Sequence, residues 1–234
     1  MGERLCEVTE MDGLSFQSPS GASGEYIGLQ AIRLFHENNG EGHRNVMLVP
    51  KNAHGTNPAS ASKIGYKIIP INIDGKGYID IADLKAQIKK HKPNVAGLMM
   101  TYPSTHGVFE EHTLDILREV KEVGGQIYID GANMNSQMFL SSPGFIGGDV
   151  CHLNLHKTFA IPHGGGGPGF GTLLAKRHLC EFLPSHCIIR NSGFADGKFM
   201  SPRGLQNFTA PFSSASILSI SYIFIRGLGS EGLR

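Results

Sequence analysis

Lys157 stands in the run Leu153-Asn154-Leu155-His156-Lys157-Thr158-Phe159, just past an apolar stretch that reads as a buried strand and ahead of a glycine tract. A lysine amine becomes a Schiff-base nucleophile when its pKa is lowered, which desolvation and a neighbouring cation both do. His156 is the adjacent imidazole, although a surface lysine at a strand end would look the same in isolation. Asp130 lies 27 residues earlier, closing the apolar run Ile127-Tyr128-Ile129 and leading into Gly131-Ala132-Asn133. Such an aspartate either caps the next helix or holds a ring nitrogen protonated, the arrangement that makes a pyridoxal ring an electron sink. Gly131 and Ala132 leave room for a flat ring against the backbone.

Three further loops carry polar residues in suitable positions. His54 opens His-Gly-Thr-Asn-Pro after an apolar strand, where an imidazole either satisfies its own loop or stacks on a planar group. Thr101-Tyr102-Pro103-Ser104-Thr105-His106-Gly107 follows another strand, and Thr105 is placed to reach a ring hydroxyl, although turn chemistry alone accounts for Pro, Ser and Gly. Ser18-Pro19-Ser20-Gly21-Ala22-Ser23-Gly24-Glu25 begins a helix. Helix N-termini present free N–H groups and a positive dipole end, which suits a phosphate; a plain N-cap through Ser20 or Ser23 explains the same residues. The run is neither a Walker loop nor GxGxxG, so a nucleotide reading has no motif. No GxSxG elbow supports a serine hydrolase. His152, His156 and His163 are near in sequence, but spacing by four shares a face only on a helix, and no metal site is expected from strand and loop.

The elements that must position these residues alternate in type. A helix is expected over 21–39 from Ile27, Ala31, Leu34 and Phe35, a strand over 45–50, and a short helix opened by Pro58. A strand over 67–73, a turn at 74–77, a helix over 80–90 and a strand over 95–100 follow. A helix over 113–123, then strands over 126–129, 149–155 and 170–175, complete the pattern. Strand–helix alternation with short turns predicts an α/β chain with a mostly parallel sheet, whose functional residues gather where loops leave the carboxyl ends of the strands.

Composition narrows the classes. The 234 residues are 40 % apolar and 18 % charged, enough for a packed core. A formal net charge of +1 leaves no footprint for nucleic acid or an anionic membrane. Four irregularly spaced cysteines make neither a disulfide framework nor a zinc site, which favours a reducing compartment. No apolar run reaches the ~20 residues of a membrane span, and the first residues resemble no signal peptide, transit peptide or myristoylation signal. Glycine is in excess, 31 of 234, and nine fall between Gly144 and Gly171, around Lys157. Such a tract is expected as site backbone, where side chains would crowd a ligand.

Taken together, the motifs resemble the fold type I pyridoxal-phosphate enzymes, and among them the glycine decarboxylase (P-protein) family of the glycine cleavage system. The likeness rests on 20–26, 53–60, 101–107, 130–135 and 152–169, including His163-Gly164-Gly165-Gly166-Gly167-Pro168-Gly169. It implies a three-layer large domain with a mostly parallel central sheet. Residues 1–20 would be a lead-in, 21–205 the cofactor-binding domain, and 206–234 the start of a connection to a smaller C-terminal domain. The resemblance makes Lys157 the covalent anchor of pyridoxal 5'-phosphate, Asp130 the partner of its ring nitrogen, and His54 and Ala132 the residues on its two faces. Thr105 would meet the ring hydroxyl, and Ala22, Ser23 and His156 the phosphate. Glycine would be the substrate and a lipoylated H-protein the acceptor of the aminomethyl group. A homodimer, or pairing with another P-protein half, would complete the assembly. The compartment would be the mitochondrial matrix in a eukaryote and the cytoplasm in a prokaryote. Competing readings are a non-catalytic partner of a full-length subunit and another fold type I decarboxylase.

Overall fold

The computed structural model describes residues 1–184 and 213–234. A short helix, α1 (Gly2–Thr9), and an edge strand, β1 (Gly13–Ser15), precede the long helix α2 (Gly21–Asn38). Then come β2 (Val46–Pro50), α3 (Thr56–Ile64), β3 (Lys67–Ile71), α4 (Ile81–His91), β4 (Val95–Thr101), α5 (Thr113–Glu122) and β5 (Gln126–Gly131). The series ends with β6 (Val150–Asn154), the four-residue α6 (Leu155–Thr158), β7 (Gly171–Ala175) and α7 (Leu218–Leu233).

The seven strands form one sheet in the order β1-β7-β6-β5-β4-β2-β3. β2 to β6 are mutually parallel, whereas β7 runs antiparallel to β6 and β1 antiparallel to β7. The expected mostly parallel α/β sheet is therefore the one observed. From β2 the chain goes to β3 on one flank and returns to build β4, β5 and β6 on the other. The carboxyl ends of β2 and β4 thus border a topological switch point, where loops diverge and leave a crevice.

Strand alternation sorts the core into two layers. Val46, Leu48, Leu98, Met100, Ile127, Ile129 and Cys151 face α1, α4, α5 and Ile225 of α7. Met47, Val49, Ala96, Met99, Tyr128, Val150 and Leu173 face α2 and α3. Caps set several helix starts: Ser20 Oγ accepts the Ser23 N–H at 3.2 Å, and Asp80 accepts the N–H groups of Ala82 and Asp83. α2 lies close to the sheet because Gly28 has no side chain. A Cβ there would stand 2.5 Å from Tyr128 Cε2 and 2.8 Å from Val150 Cγ1.

Some elements differ from expectation. The strand expected over 67–73 stops at Ile71, and Ile73 instead bridges Ile79 across the turn. Lys157 lies not in open loop but in α6, one turn of helix directly after β6. Residues 1–20 hold α1 and β1, which sequence periodicity does not announce: β1 is three residues long and begins with glycine. α7 packs through Ser221, whose hydroxyl donates to Phe159 O at 2.6 Å, and its regular path breaks at Gly229 with φ 62°. The boundary expected at 205/206, and Cys187, lie outside the described residues.

Candidate active site

Loops from β2, β4, β5 and β6 enclose one cavity of about 540 Å³. Gly21, Ala22 and Glu25 of α2 form one wall, His54 and Thr56 the next. Thr101 to Thr105 cover the β4 end, Asp130 and Ala132 the β5 end, and His152, Asn154, His156 and Lys157 the β6 end. Lys157, Asp130, His54, Ala22, Thr105, Ala132 and His156 are thereby brought together, although they span 136 positions of sequence from Ala22 to Lys157. Ser23 is the exception. Its hydroxyl sits 3.0 Å from Ser20 Oγ, and it lines a smaller recess of about 260 Å³ with Thr56 and Lys63 beside the main cavity. A third hollow of about 610 Å³ lies away from the strand ends, between α1, residues 139–145 and α7, and carries none of these groups.

Asp130 is the deep end of the site. Only 5 % of it is exposed, and its register neighbours are Thr101 on β4 and His152 on β6. Oδ2 accepts from Asn57 Nδ2 at 3.0 Å, and Oδ1 accepts from the Ala132 N–H at 3.0 Å and lies 3.4 Å from His152 Nε2. Burial pushes this carboxyl up, but His152, the Asn57 amide, the Ala132 N–H and the charge of Lys157 together hold it below the usual carboxylate range. It is a buried carboxylate held in its ionised form at the floor of the cavity. His152 is itself fixed from behind, with Nδ1 2.7 Å from the Tyr128 hydroxyl. Tyr128 is held well above its ordinary pKa by burial, then by the charges of Glu25 and Asp130, and so stays a phenol.

Glu25, Asp130 and His152 place one ligand atom each within 4.8 Å of one another. That set has the donor types of a cation site. However, both Asp130 oxygens and both His152 nitrogens are engaged in the contacts just described, and only Glu25 Oε2 is without a partner. The arrangement is that of a closed polar network.

The mouth is more open. Lys157, His54 and Thr105 are exposed, so the desolvation expected around Lys157 is not supplied by the described residues. His156 is half-buried; burial, then His163 and Lys157, hold its imidazole below the usual range. Its Nδ1 accepts the Phe170 N–H at 3.1 Å, which leaves the proton on Nε2. The glycine tract is constrained differently from expectation. A Cβ at Gly164 or Gly166 would meet nothing within 4 Å, and Gly166 and Gly167 instead adopt φ 104° and 95°. Crowding falls on Gly169, where a Cβ would stand 3.0 Å from His156 Nδ1, and on Gly171, 2.1 Å from Ser20 O.

The lining fits a flat, anionic, ring-bearing cofactor on its own terms. The cavity volume is in the range of small-molecule sites. Thr101 Oγ1, Asn154 Oδ1 and Glu25 Oε2 are buried in its wall without partners, and the N-terminus of an 18-residue helix opens on it. An amine, a buried carboxylate and a neutral imidazole donor complete the set. Sequence reasoning on single motifs does not single out Asn57, Tyr128 or His152 as supports of Asp130. The available signal for Glu25 is a charge on the apolar face of α2, four and seven residues before Leu29 and Ile32.

No protein-family model matches the chain. Glycine dehydrogenase (decarboxylating), mitochondrial, of Pisum sativum is 53 % identical over 233 residues, which is 100 % of this chain and 22 % of that protein. Glycine dehydrogenase (decarboxylating) of Vibrio campbellii is 55 % identical over 234 residues, 99 % of this chain and 23 % of that protein. The chain spans less than a quarter of the length of these curated relatives. Among solved structures, a glycine decarboxylase (P-protein) of the glycine cleavage system in inhibitor-bound form superposes with TM-score 0.70 at 18 % identity, covering 100 % of this chain and 53 % of that one. Oryza sativa TDC with PLP and tryptamine superposes with TM-score 0.69 at 12 % identity, covering 99 % of this chain and 50 % of that one. These structural likenesses concern the fold.

Proposed function

By sequence the chain belongs to the glycine dehydrogenase (decarboxylating) family, as a segment of it, and we propose that it forms the pyridoxal phosphate-binding large domain of a glycine decarboxylase. The observation that carries this reading is Asp130, an ionised carboxylate at the floor of a cavity whose rim bears Lys157. When bound, pyridoxal phosphate supplies an electron sink for the pair released as the carboxyl group of glycine departs as carbon dioxide.

The chain's own residues then have distinct tasks. Lys157 would hold the cofactor covalently, and Asp130 would keep a proton on its ring nitrogen. The network around Asp130 suits that task, because an ionised partner stabilises the protonated nitrogen. His54 and Ala132 would bracket the ring, and Thr105 would meet its hydroxyl. Ala22 and Ser23 at the start of α2, with the Nε2 proton of His156, would take the phosphate. The aminomethyl group would pass to the lipoyl arm of a partner H-protein. A second subunit, either another copy or another P-protein half, would close the open mouth. Relatives named mitochondrial in a plant and others from Vibrio support a matrix location in eukaryotes and a cytoplasmic one in bacteria.

Exchange of labelled bicarbonate into glycine tests the reading, measured with lipoylated H-protein on the protein that carries this segment. Exchange with glycine that is lost in Lys157→Ala is expected. Exchange with a larger amino acid and none with glycine would overturn it.

A further inference from the structure

The wall of the cavity holds a chain of polar groups of which the cofactor reading uses only the ring face of His54, and neither Glu25 nor Thr56. Thr56 Oγ1 donates to or accepts from Glu25 Oε1 at 2.7 Å, and the same oxygen lies 2.8 Å from His54 Nδ1. The Thr56 N–H also points at Nδ1, at 3.2 Å. Glu25 is 3 % exposed, lines the cavity, and leaves Oε2 without a partner. His54 stands at the exposed end, on the cavity rim, with Nε2 as its remaining ring nitrogen.

Two proton arrangements are open to this chain, and the second gives up the Thr56 N–H contact with Nδ1. In one, the Glu25 carboxyl proton is donated to Thr56 Oγ1, the Thr56 hydroxyl is donated to His54 Nδ1, and Nε2 carries the imidazole proton. Nδ1 then accepts from both the hydroxyl and the N–H of Thr56. In the other, the Glu25 carboxylate accepts from the Thr56 hydroxyl, Nδ1–H donates to Thr56 Oγ1, and Nε2 is bare. The imidazole is neutral in both.

We propose that Glu25, Thr56 and His54 form a proton relay that lets His54 Nε2 give a proton to, or take one from, a group in the cavity without leaving an imidazolium behind. On donation the Nε2–H bond breaks and the proton goes to a basic atom of the amine substrate. The Thr56 hydroxyl proton forms the new Nδ1–H bond, and the Glu25 carboxyl proton restores the hydroxyl. One proton has left Glu25 and nothing is oxidised or reduced. Glu25 and Thr56 act through His54 and are relay residues; only His54 meets the reacting group. The groups facing Glu25 across the network are Asp130 and Tyr128 on β5 and His152 on β6, with Lys157 of α6 across the cavity. The inference rests on the proposed function only for the identity of the proton's acceptor.

The relay is read without cofactor, in the isotope-labelled full chain, by long-range proton–nitrogen correlation of the His54 ring together with the Glu25 carboxyl carbon across pH. The two His54 nitrogens are expected to exchange pyrrole-like and pyridine-like character over the pH interval in which the Glu25 carbon titrates. Thr56→Ser should keep that coupling and Thr56→Val should lose it. Should Thr56→Val fail to fold, Glu25→Gln serves, with one pH-independent His54 tautomer over that interval as the expected result. A His54 tautomer indifferent to Glu25 ionisation in the unmodified chain, or a pH-dependent tautomer change over that interval that persists in Thr56→Val or Glu25→Gln, would overturn the relay. A chain that fails to bind pyridoxal phosphate would leave these spectra unchanged, so failure of the cofactor reading is seen separately.

Discussion

The side-chain amide of Asn57 donates to Oδ2 of Asp130 at 3.0 Å, tying the first turn of α3 to the end of β5. The two residues are 73 positions apart, and the bond crosses the gap at the switch point of the sheet. It holds a buried carboxylate in one orientation and contributes to keeping it ionised.

Asn57→Ala should destabilise the fold by about 1.5–3 kcal/mol at neutral pH, the usual worth of a hydrogen bond to a charged group. Asp130 has a folded-state pKa below its unfolded value, so its ionisation contributes stability above the unfolded pKa. That contribution disappears as pH falls through the folded pKa. Removing Asn57 raises the folded pKa and shrinks the contribution. Urea unfolding of both proteins across the acid range checks this: the difference between them should be largest near neutrality and narrow as pH drops below the carboxylate range.

Gly28→Ala should cost about 1–3 kcal/mol through overpacking against Tyr128 and Val150. Helix propensity alone would favour alanine by about 1 kcal/mol, so the sign separates packing from propensity. Thermal and urea midpoints report it.

Within the glycine tract the effects should divide by position. Gly164→Ala meets open space at an ordinary φ and should be nearly neutral, whereas Gly166→Ala should cost about 1–3 kcal/mol because its backbone, at φ 104° and ψ 162°, is in a region essentially restricted to glycine. Gly169→Ala should fold but displace His156. A pairwise stability comparison of the three tests the assignment, and equal losses at Gly164 and Gly166 would refute the backbone explanation.

Cys6 and Cys151 should resist alkylation at mild alkaline pH in the folded chain and react once it is unfolded. Burial, aided by the charge of Asp12, pushes the Cys6 thiol up to about 12, and burial raises Cys151 further. Peptide mapping after alkylation in buffer and in denaturant reads the difference; labelling of either residue in the folded state would contradict the packing around α1 and β6.

Much of this architecture is legible in the sequence because periodicity and termini are physical signals. The apolar run ending in Asp130 and the run leading to Lys157 show strands buried on both faces, and their polar ends mark the edge where loops converge. What escapes is whatever depends on contacts between distant elements. The pairing of Asp130 with His152 is a register fact of β5 against β6, and nothing in either strand alone states it. Asn57 reads as a helix-start residue until α3 is placed against β5. β1 is too short for an alternation, and its existence depends on the exposed edge of β7. Glycine count locates the tract near Lys157, but only the folded backbone separates the glycines needed for φ from those needed for closeness.

The proposed function stands on pyridoxal phosphate being held in this cavity through Lys157, over the Asp130 floor. Borohydride reduction of the chain mixed with pyridoxal phosphate, followed by peptide mass analysis, tests it most directly. A single reduced pyridoxyl label on Lys157, with loss of the visible-edge absorbance band in Lys157→Ala, is the expected result. A label on Lys63 of the side recess or on another lysine instead, or a band that survives that substitution, would rule out Lys157 as the anchor.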